Sequence, residues 1–208
     1  LIFVKIIKNY PINSNCYVVY SDFNQDCVII DPGTENCEEL LSFLNTEKLS
    51  PLYVMLTHEH FDHVWGVNKL FESFSFTLLC SKHCVEAIAN KKKNLSLFFD
   101  NIGFEIKKTK LYFYSSEIHF NDNNVIRIIE TPGHSEGSIS ILIDNYLFTG
   151  DVLLQGSKII TKLPGGNKQL LKRSFLTLNN LCKGKQIIVH PGHGKVFNFD
   201  DIDFNNLI

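Results

Sequence analysis

Seven consecutive residues, Thr57-His58-Glu59-His60-Phe61-Asp62-His63, offer three imidazoles and the Asp62 carboxylate within one short loop. Neutral imidazole and carboxylate are the donors that hold zinc or non-haem iron at neutral pH. In an extended or turning segment, residues two apart point the same way, so His58 and His60 can converge on one ion. Asp62 and His63, beyond the bend, then face a second point nearby. The apolar run Leu52-Tyr53-Val54-Met55-Leu56 reads as a buried strand that delivers the loop. A histidine-rich surface loop is the plain alternative, and the buried strand ahead of it argues against that.

Three later segments place further donors after apolar runs. His134 sits in Thr131-Pro132-Gly133-His134-Ser135, Asp151 in Leu147-Phe148-Thr149-Gly150-Asp151, and His193 in His190-Pro191-Gly192-His193-Gly194. In this order, the four segments resemble the metallo-β-lactamase-fold superfamily, particularly its glyoxalase II-like hydrolases. The resemblance covers nearly the whole chain. It implies an α+β fold, the αββα four-layer sandwich, built as a single domain over residues 1–208 with its site at one edge between the sheets. It also implies that His58, His60 and His134 hold a first metal, that Asp62, His63 and His193 hold a second, and that Asp151 bridges them. Asp62 and Asp151 are then the catalytic carboxylates. The expected cofactor is two zinc ions, with iron or manganese accepted by the same donors.

The chemistry fits that division. A three-histidine site adds no charge of its own and leaves a position open for water. A bridging carboxylate holds two cations about 3.5–4 Å apart with a shared hydroxide between them, the water's pKa falling from about 15.7 to about 7. The first metal can polarise a carbonyl and stabilise the tetrahedral oxyanion. A thiolate leaves with a pKa of about 8.5 and needs little help from a general acid, whereas an amide nitrogen needs a proton. The best-known lactam-cleaving class carries a cysteine where this chain has Asp151. Hydrolysis of a thioester or activated ester, as by a hydroxyacylglutathione hydrolase, is therefore the expected reaction, with a small molecule as substrate. A mononuclear-iron persulfide dioxygenase and a lactone or phosphodiester hydrolase are the alternatives.

Two departures weaken the glutathione assignment. Glyoxalase II proper has a C-terminal helical region that binds glutathione, and only 15 residues (208 − 193) follow His193. The chain is therefore expected to resemble the shorter, single-domain relatives. Such relatives also carry an arginine and an aspartate after the Gly-Asp pair, where this chain has Ile160 and Lys162. Losing the arginine removes a planar anion binder.

The remaining sequence must position these donors. Residues 1–7, 14–21 and 25–31 read as strands rich in β-branched and aromatic residues. Thr34 is placed to cap a helix through about residue 46, with Leu40, Leu41 and Leu44 on its apolar face. A second helix is expected from near Asp62 through Trp65, Val67 and Leu70, then a strand at 75–80 and a helix from Lys82 to Asn90. Residues 94–118 show no clean period. Strands are expected at 116–120, 125–129, 139–143 and 146–149, then a helix over 167–182 and a buried strand at Ile187-Ile188-Val189. Asp31, in Ile29-Ile30-Asp31-Pro32-Gly33, either orients the metal loop through hydrogen bonds, as the resemblance implies, or simply makes a turn. His83 and His119 read as surface or helix residues without a role, and His190 as structural.

Hydrophobic content of 44% and charged content of 20% are those of an ordinary folded domain, and a net charge of −2 gives no general attraction to nucleic acid or membrane. No apolar run is long enough to span a bilayer. The lysines at 91–93, 107, 108 and 110 read as a solvated charge run. Six cysteines without a Cys-x-x-Cys pair read as buried free thiols in a reducing compartment, which makes the cytoplasm the expected location. The chain begins with Leu1 rather than Met, which leaves room for further N-terminal sequence.

Overall fold

Runs of β-branched and aromatic residues in the first part of the chain build a five-stranded sheet. In the computed structural model, which describes residues 1–106, 116–121 and 124–207, its strands are β1 (Ile2–Lys8), β2 (Asn15–Ser21), β3 (Asp26–Ile30), β4 (Ser50–Met55) and β5 (Thr77–Leu79). They lie in sequence order, β1 to β3 antiparallel and β3 to β5 parallel. The parallel pairs require crossovers, and helices supply them. Helix α1 (Glu38–Glu47) joins β3 to β4, α2 (Phe61–Val64) and α3 (Val67–Ser73) join β4 to β5, and α4 (Lys82–Ile88) and the short α5 (Ser96–Asp100) follow β5. Leu40, Leu44, Val67, Leu70 and Ile88 from these helices pack on Val18, Ile29 and Val54 of the sheet, all buried.

The second sheet has six strands in the order β11-β10-β9-β8-β7-β6. They are β6 (Glu117–Asn121), β7 (Asn124–Glu130), β8 (Ile139–Ile143), β9 (Tyr146–Gly150), β10 (Ile188–Pro191) and β11 (Phe197–Asn198). Only β9 and β10 run parallel, and α6 (Lys168–Cys182) connects them. Asn167 caps α6 by accepting from the N–H groups of Gln169 and Leu170, and Leu171, Phe175 and Leu178 pack on Leu147 and Val189. The described chain falls into two compact units, Leu1–Tyr112 and Phe113–Ile208, each holding one sheet and its helices.

The expected strands and helices are present, with three differences. Thr34 does not cap α1: its hydroxyl accepts from the Tyr10 N–H and donates to Asn9 Oδ1, and the helix begins four residues later. The helix expected to run from Asp62 past Leu70 is two helices, because the chain turns at Gly66. A Cβ there would sit 2.2 Å from Cys37 Sγ and 2.9 Å from the Pro32 carbonyl oxygen, so only glycine permits the approach. Helix α5 lies in the stretch without a period, and the lysines at 107, 108 and 110 lie outside the described residues.

All six cysteines are free and buried. Burial pushes the thiols of Cys27 and Cys37 up to about 12, which leaves them protonated and inert. Among the described residues, no helix is long and apolar enough to cross a membrane.

Candidate metal centre

In the first unit, the donors follow the ends of two parallel neighbours, β3 and β4. Ile30 pairs with Met55, and the Asp31 N–H donates to the Met55 carbonyl at 3.1 Å, so Asp31 and the 57–63 loop leave the sheet side by side. Asp31 is buried and its backbone is left-handed, with φ of 55°. Its carboxylate accepts from the Thr57 N–H at 2.8 Å, the Thr57 hydroxyl at 2.6 Å and His63 Nδ1 at 3.0 Å.

These bonds fix tautomers. A carboxylate only accepts, so the Thr57 hydroxyl spends its proton on Asp31 and must accept from His58 Nδ1, 3.0 Å away. His58 and His63 therefore both carry the proton on Nδ1 and present Nε2 as a lone-pair donor. The His58 ring centroid lies 4.6 Å from that of His60 and 4.3 Å from that of His63. The Nε2 atoms of all three are buried. His63 Nε2 is also 3.5 Å from Asp62 Oδ2.

One donor atom from each of Asp31, His58 and His63 falls within 4.8 Å of the others. Asp31 is nevertheless an orienting group rather than a ligand, because both its oxygens are committed to Thr57 and His63.

Behind this loop stand residues that the sequence did not single out. The Ser14 hydroxyl donates to the Asp62 carbonyl at 2.5 Å. Asn9 donates to Ser14 Oγ and to the Asp31 carbonyl, and accepts from the Gly33 N–H. Gly33 packs so closely that an added Cβ would lie 1.7 Å from the Asp62 carbonyl oxygen. No local motif marks Asn9 or Ser14. Their polar side chains beside strand ends are the only trace they leave in the sequence.

In the second unit, the donors again follow strand ends. Gly150 and Pro191 are partners in the parallel pair β9 and β10, and the Gly192 N–H donates to the Gly150 carbonyl at 2.7 Å. Asp151 and His193 leave the sheet together from there. His134 lies on the β7–β8 connection, braced by the Thr131 N–H to Ser138 carbonyl bond. Its Nδ1 donates to the Ile160 carbonyl at 2.9 Å, so in the neutral ring Nε2 again carries the lone pair. Asp151 Oδ2 lies 3.7 Å from His134 Nε2 and 3.6 Å from His193 Nε2.

Two donors each about 2.1 Å from one tetrahedral ion stand roughly 3.4 Å apart. The pairs Asp62–His63, His134–Asp151 and His193–Asp151, at 3.5, 3.7 and 3.6 Å, match that spacing. The donor set thus fits a divalent metal. His190 stands apart. It is buried edge-on to Tyr146 and against Phe148, and burial lowers its pKa to about 4. His83 and His119 are exposed on α4 and β6.

A sequence profile described as the metallo-beta-lactamase superfamily matches residues 9–193. The chain belongs to that superfamily. The probable metallo-hydrolase YqgX of Bacillus subtilis is 30% identical over 187 residues, which cover 88% of this chain and 86% of that protein. Among solved structures, the BLEG-1 B3 metallo-beta-lactamase aligns with a TM-score of 0.84 at 31% identity, covering 94% of both chains. TTHA1623, solved in a di-iron-bound form, aligns with a TM-score of 0.78 at 29% identity, again over 94% of each. The fold is the metallo-β-lactamase fold, with two mixed sheets flanked by helices, and the expected α+β class holds. Membership, the relatives' names and the His and Asp groups together make this a metal-dependent hydrolase.

Proposed function

We propose that the protein is a two-metal hydrolase of thioesters, of the hydroxyacylglutathione hydrolase type, acting on a small-molecule substrate. In this reading His58, His60 and His134 hold one ion, Asp62, His63 and His193 hold the other, and Asp151 is shared. The observation that carries the reading is the matched tautomers. Three histidines spend Nδ1 on Thr57, Asp31 and the Ile160 carbonyl, and so present Nε2 to an ion. The nearness of Asp151 Oδ2 to both His134 Nε2 and His193 Nε2, at 3.7 and 3.6 Å, supports Asp151 as the shared carboxylate.

The ions, when bound, supply Lewis acidity to a carbonyl and to a water. The chain's own contribution is to hold the ring proton on Nδ1, so that Nε2 is the nitrogen turned toward the ion, and to keep the loop from turning. In the overall reaction, water adds to the thioester carbonyl and the C–S bond breaks. The thiolate leaves with the electron pair and takes up a proton, and the acid formed ionises. A thiolate's low basicity makes this feasible without a dedicated proton donor, which is the support for a thioester over an amide.

The relative bound to two irons makes iron a competitor to zinc. The test is metal analysis of protein purified without added metal, followed by thiol release from S-D-lactoylglutathione and simpler thioesters. About two zincs per chain with thiol release supports the reading. Two metals without thiol release overturns the thioester assignment and directs the screen to lactones, phosphodiesters and, given the similarity to BLEG-1, a chromogenic β-lactam. One iron per chain with oxygen uptake on glutathione persulfide overturns the hydrolase reading in favour of a dioxygenase.

A further inference from the structure

Phe61 stands between His60 and Asp62 in the metal loop, and its ring does not go into the core. It stacks on Phe99 with centroids 4.7 Å apart and meets Trp65 edge-on at 5.9 Å. Trp65 in turn meets Phe99 edge-on at 5.7 Å and stacks on Phe104 at 5.4 Å. Phe61, Trp65 and Phe104 are half-buried, and Phe99 is 42% exposed. Beside them Phe98 is 69% and Ile102 73% exposed.

Such a patch could arise from a slack loop, but residues 90–104 are bonded throughout. The buried Asn94 side chain donates to the Phe104 carbonyl and accepts from the Ser96 N–H, and Ser96 Oγ accepts from the Phe104 N–H. Asp100 Oδ1 accepts from the N–H groups of Ile102 and Gly103. Leu95 and Asn101, at either end of α5, both hold left-handed backbone, with φ of 68° and 63°. The loop is tied to the metal loop by the Phe61 N–H, which donates to the Asn94 carbonyl at 2.8 Å. Polar residues are thus buried to hold apolar ones in water, the reverse of what stability alone favours.

We propose that the aromatic surface of Phe61, Trp65 and Phe99 receives the apolar acyl arm of the substrate, so that the preferred thioesters carry an aryl or medium-chain acyl group rather than a small hydroxyacyl group. This rests on the thioesterase reading for the chemistry and replaces its hydroxyacyl substrate by an aryl or medium-chain acyl one. It accounts for a ring placed between two candidate ligands, since an acyl group whose carbonyl is at the metals extends its arm over the adjoining loop. It also agrees with a chain that has Ile160 and Lys162 where the shorter, single-domain relatives commonly place an arginine and an aspartate, a departure that weakens the glutathione assignment.

Trp65 is the sole tryptophan, so its fluorescence reports on this surface without turnover. The metal-loaded protein is titrated with phenylacetate and with lactate, which share a carboxylate and differ in the arm. Saturable quenching is expected with phenylacetate at concentrations at least tenfold below those needed for lactate. Phe99→Ala weakens phenylacetate about tenfold and Phe99→Leu less, while Phe23→Ala, on an exposed turn, has no effect. In parallel, kcat/KM is compared for phenylacetyl and lactoyl thioesters. Equal quenching by both acids, or an unchanged affinity in Phe99→Ala, overturns the proposal even if thioesters are hydrolysed. Selective quenching that Phe99→Ala removes, with no thioester cleaved, retains the aromatic surface and overturns the thioesterase reading.

Discussion

The Asp31 carboxylate lies 3.0 Å from Nδ1 of His63, a residue 32 positions later in the chain, and also binds both the N–H and the hydroxyl of Thr57. One side chain thereby sets the tautomer of two histidines, His63 directly and His58 through the threonine hydroxyl. Groups that orient metal-binding imidazoles in this way are worth about 10–100-fold in metal affinity. Asp31→Ala is expected to weaken metal binding within that range, measured by competition with a chromophoric chelator. Thr57→Val, which keeps shape but loses the hydroxyl, is expected to give a smaller loss in the same assay. An Asp31→Ala protein with wild-type affinity would show that the histidines hold their tautomers without help.

A second prediction concerns Gly33. A methyl group there would fall 1.7 Å from the Asp62 carbonyl oxygen and 2.7 Å from Asn9 Nδ2. Neither neighbour can yield without cost, since Asp62 is held by Ser14 and the Asn9 side chain by Ser14, Asp31, Gly33 and Thr34. Gly33→Ala is expected to lose about 1–3 kcal/mol of stability through overpacking. Because the displaced atom belongs to a candidate ligand, metal affinity falls as well. Urea unfolding and chelator competition on one preparation check both, and a stable variant with intact affinity would contradict the expectation.

The candidate metal loop stood out in the sequence because its chemistry is contiguous: His58, His60, Asp62 and His63 share one turn of chain behind an apolar strand. His134, Asp151 and His193 stood out as candidate donors for the same reason, each in a short segment closing an apolar run. What holds them was not. Asn9 and Ser14 reach Asp31 and Asp62 only after β1, β2 and β3 have paired, and a lone asparagine carries no trace of that. Helix α5 escaped notice because side-chain hydrogen bonds of Asn94, Ser96 and Asp100 help to hold it and its flanks, and it shows no periodic apolar face. At Ile160 the sequence pointed to the side chain, whose arginine was missing, whereas the backbone carbonyl is what anchors His134.

The shared carboxylate yields a third prediction, conditional on the proposed metal arrangement. Asp151 Oδ2 is within 3.7 Å of both His134 Nε2 and His193 Nε2. Asp151→Ala removes a group common to both ions, and loss of a direct ligand costs more than the roughly 100-fold upper value for orienting partners. Metal content is expected to drop well below two per chain, and thiol release by more than about a hundredfold. Unchanged stoichiometry by elemental analysis would remove Asp151 from the ligand set.

His190 supplies a prediction about acid stability. Burial against Tyr146 and Phe148 lowers its pKa from the ordinary 6.5 to about 4, with a weak bond from Nδ1 to the Ile188 carbonyl acting the other way. The unfolded chain therefore binds a proton near pH 6.5 that the folded chain refuses until about pH 4. Stability is fully present above pH 6.5, falls as pH drops through that window and levels off below about pH 4. Between pH 7 and pH 5 the loss from this one group is about 2 kcal/mol. His190→Phe, an apolar ring among aromatic neighbours, is expected to be less pH-sensitive than wild type by that amount. Urea midpoints of both proteins, metal-free, at pH 7 and pH 5 make the comparison, since histidines common to both cancel in the difference. Equal losses in the two proteins would mean that His190 takes up its proton in the folded state as readily as in the unfolded one.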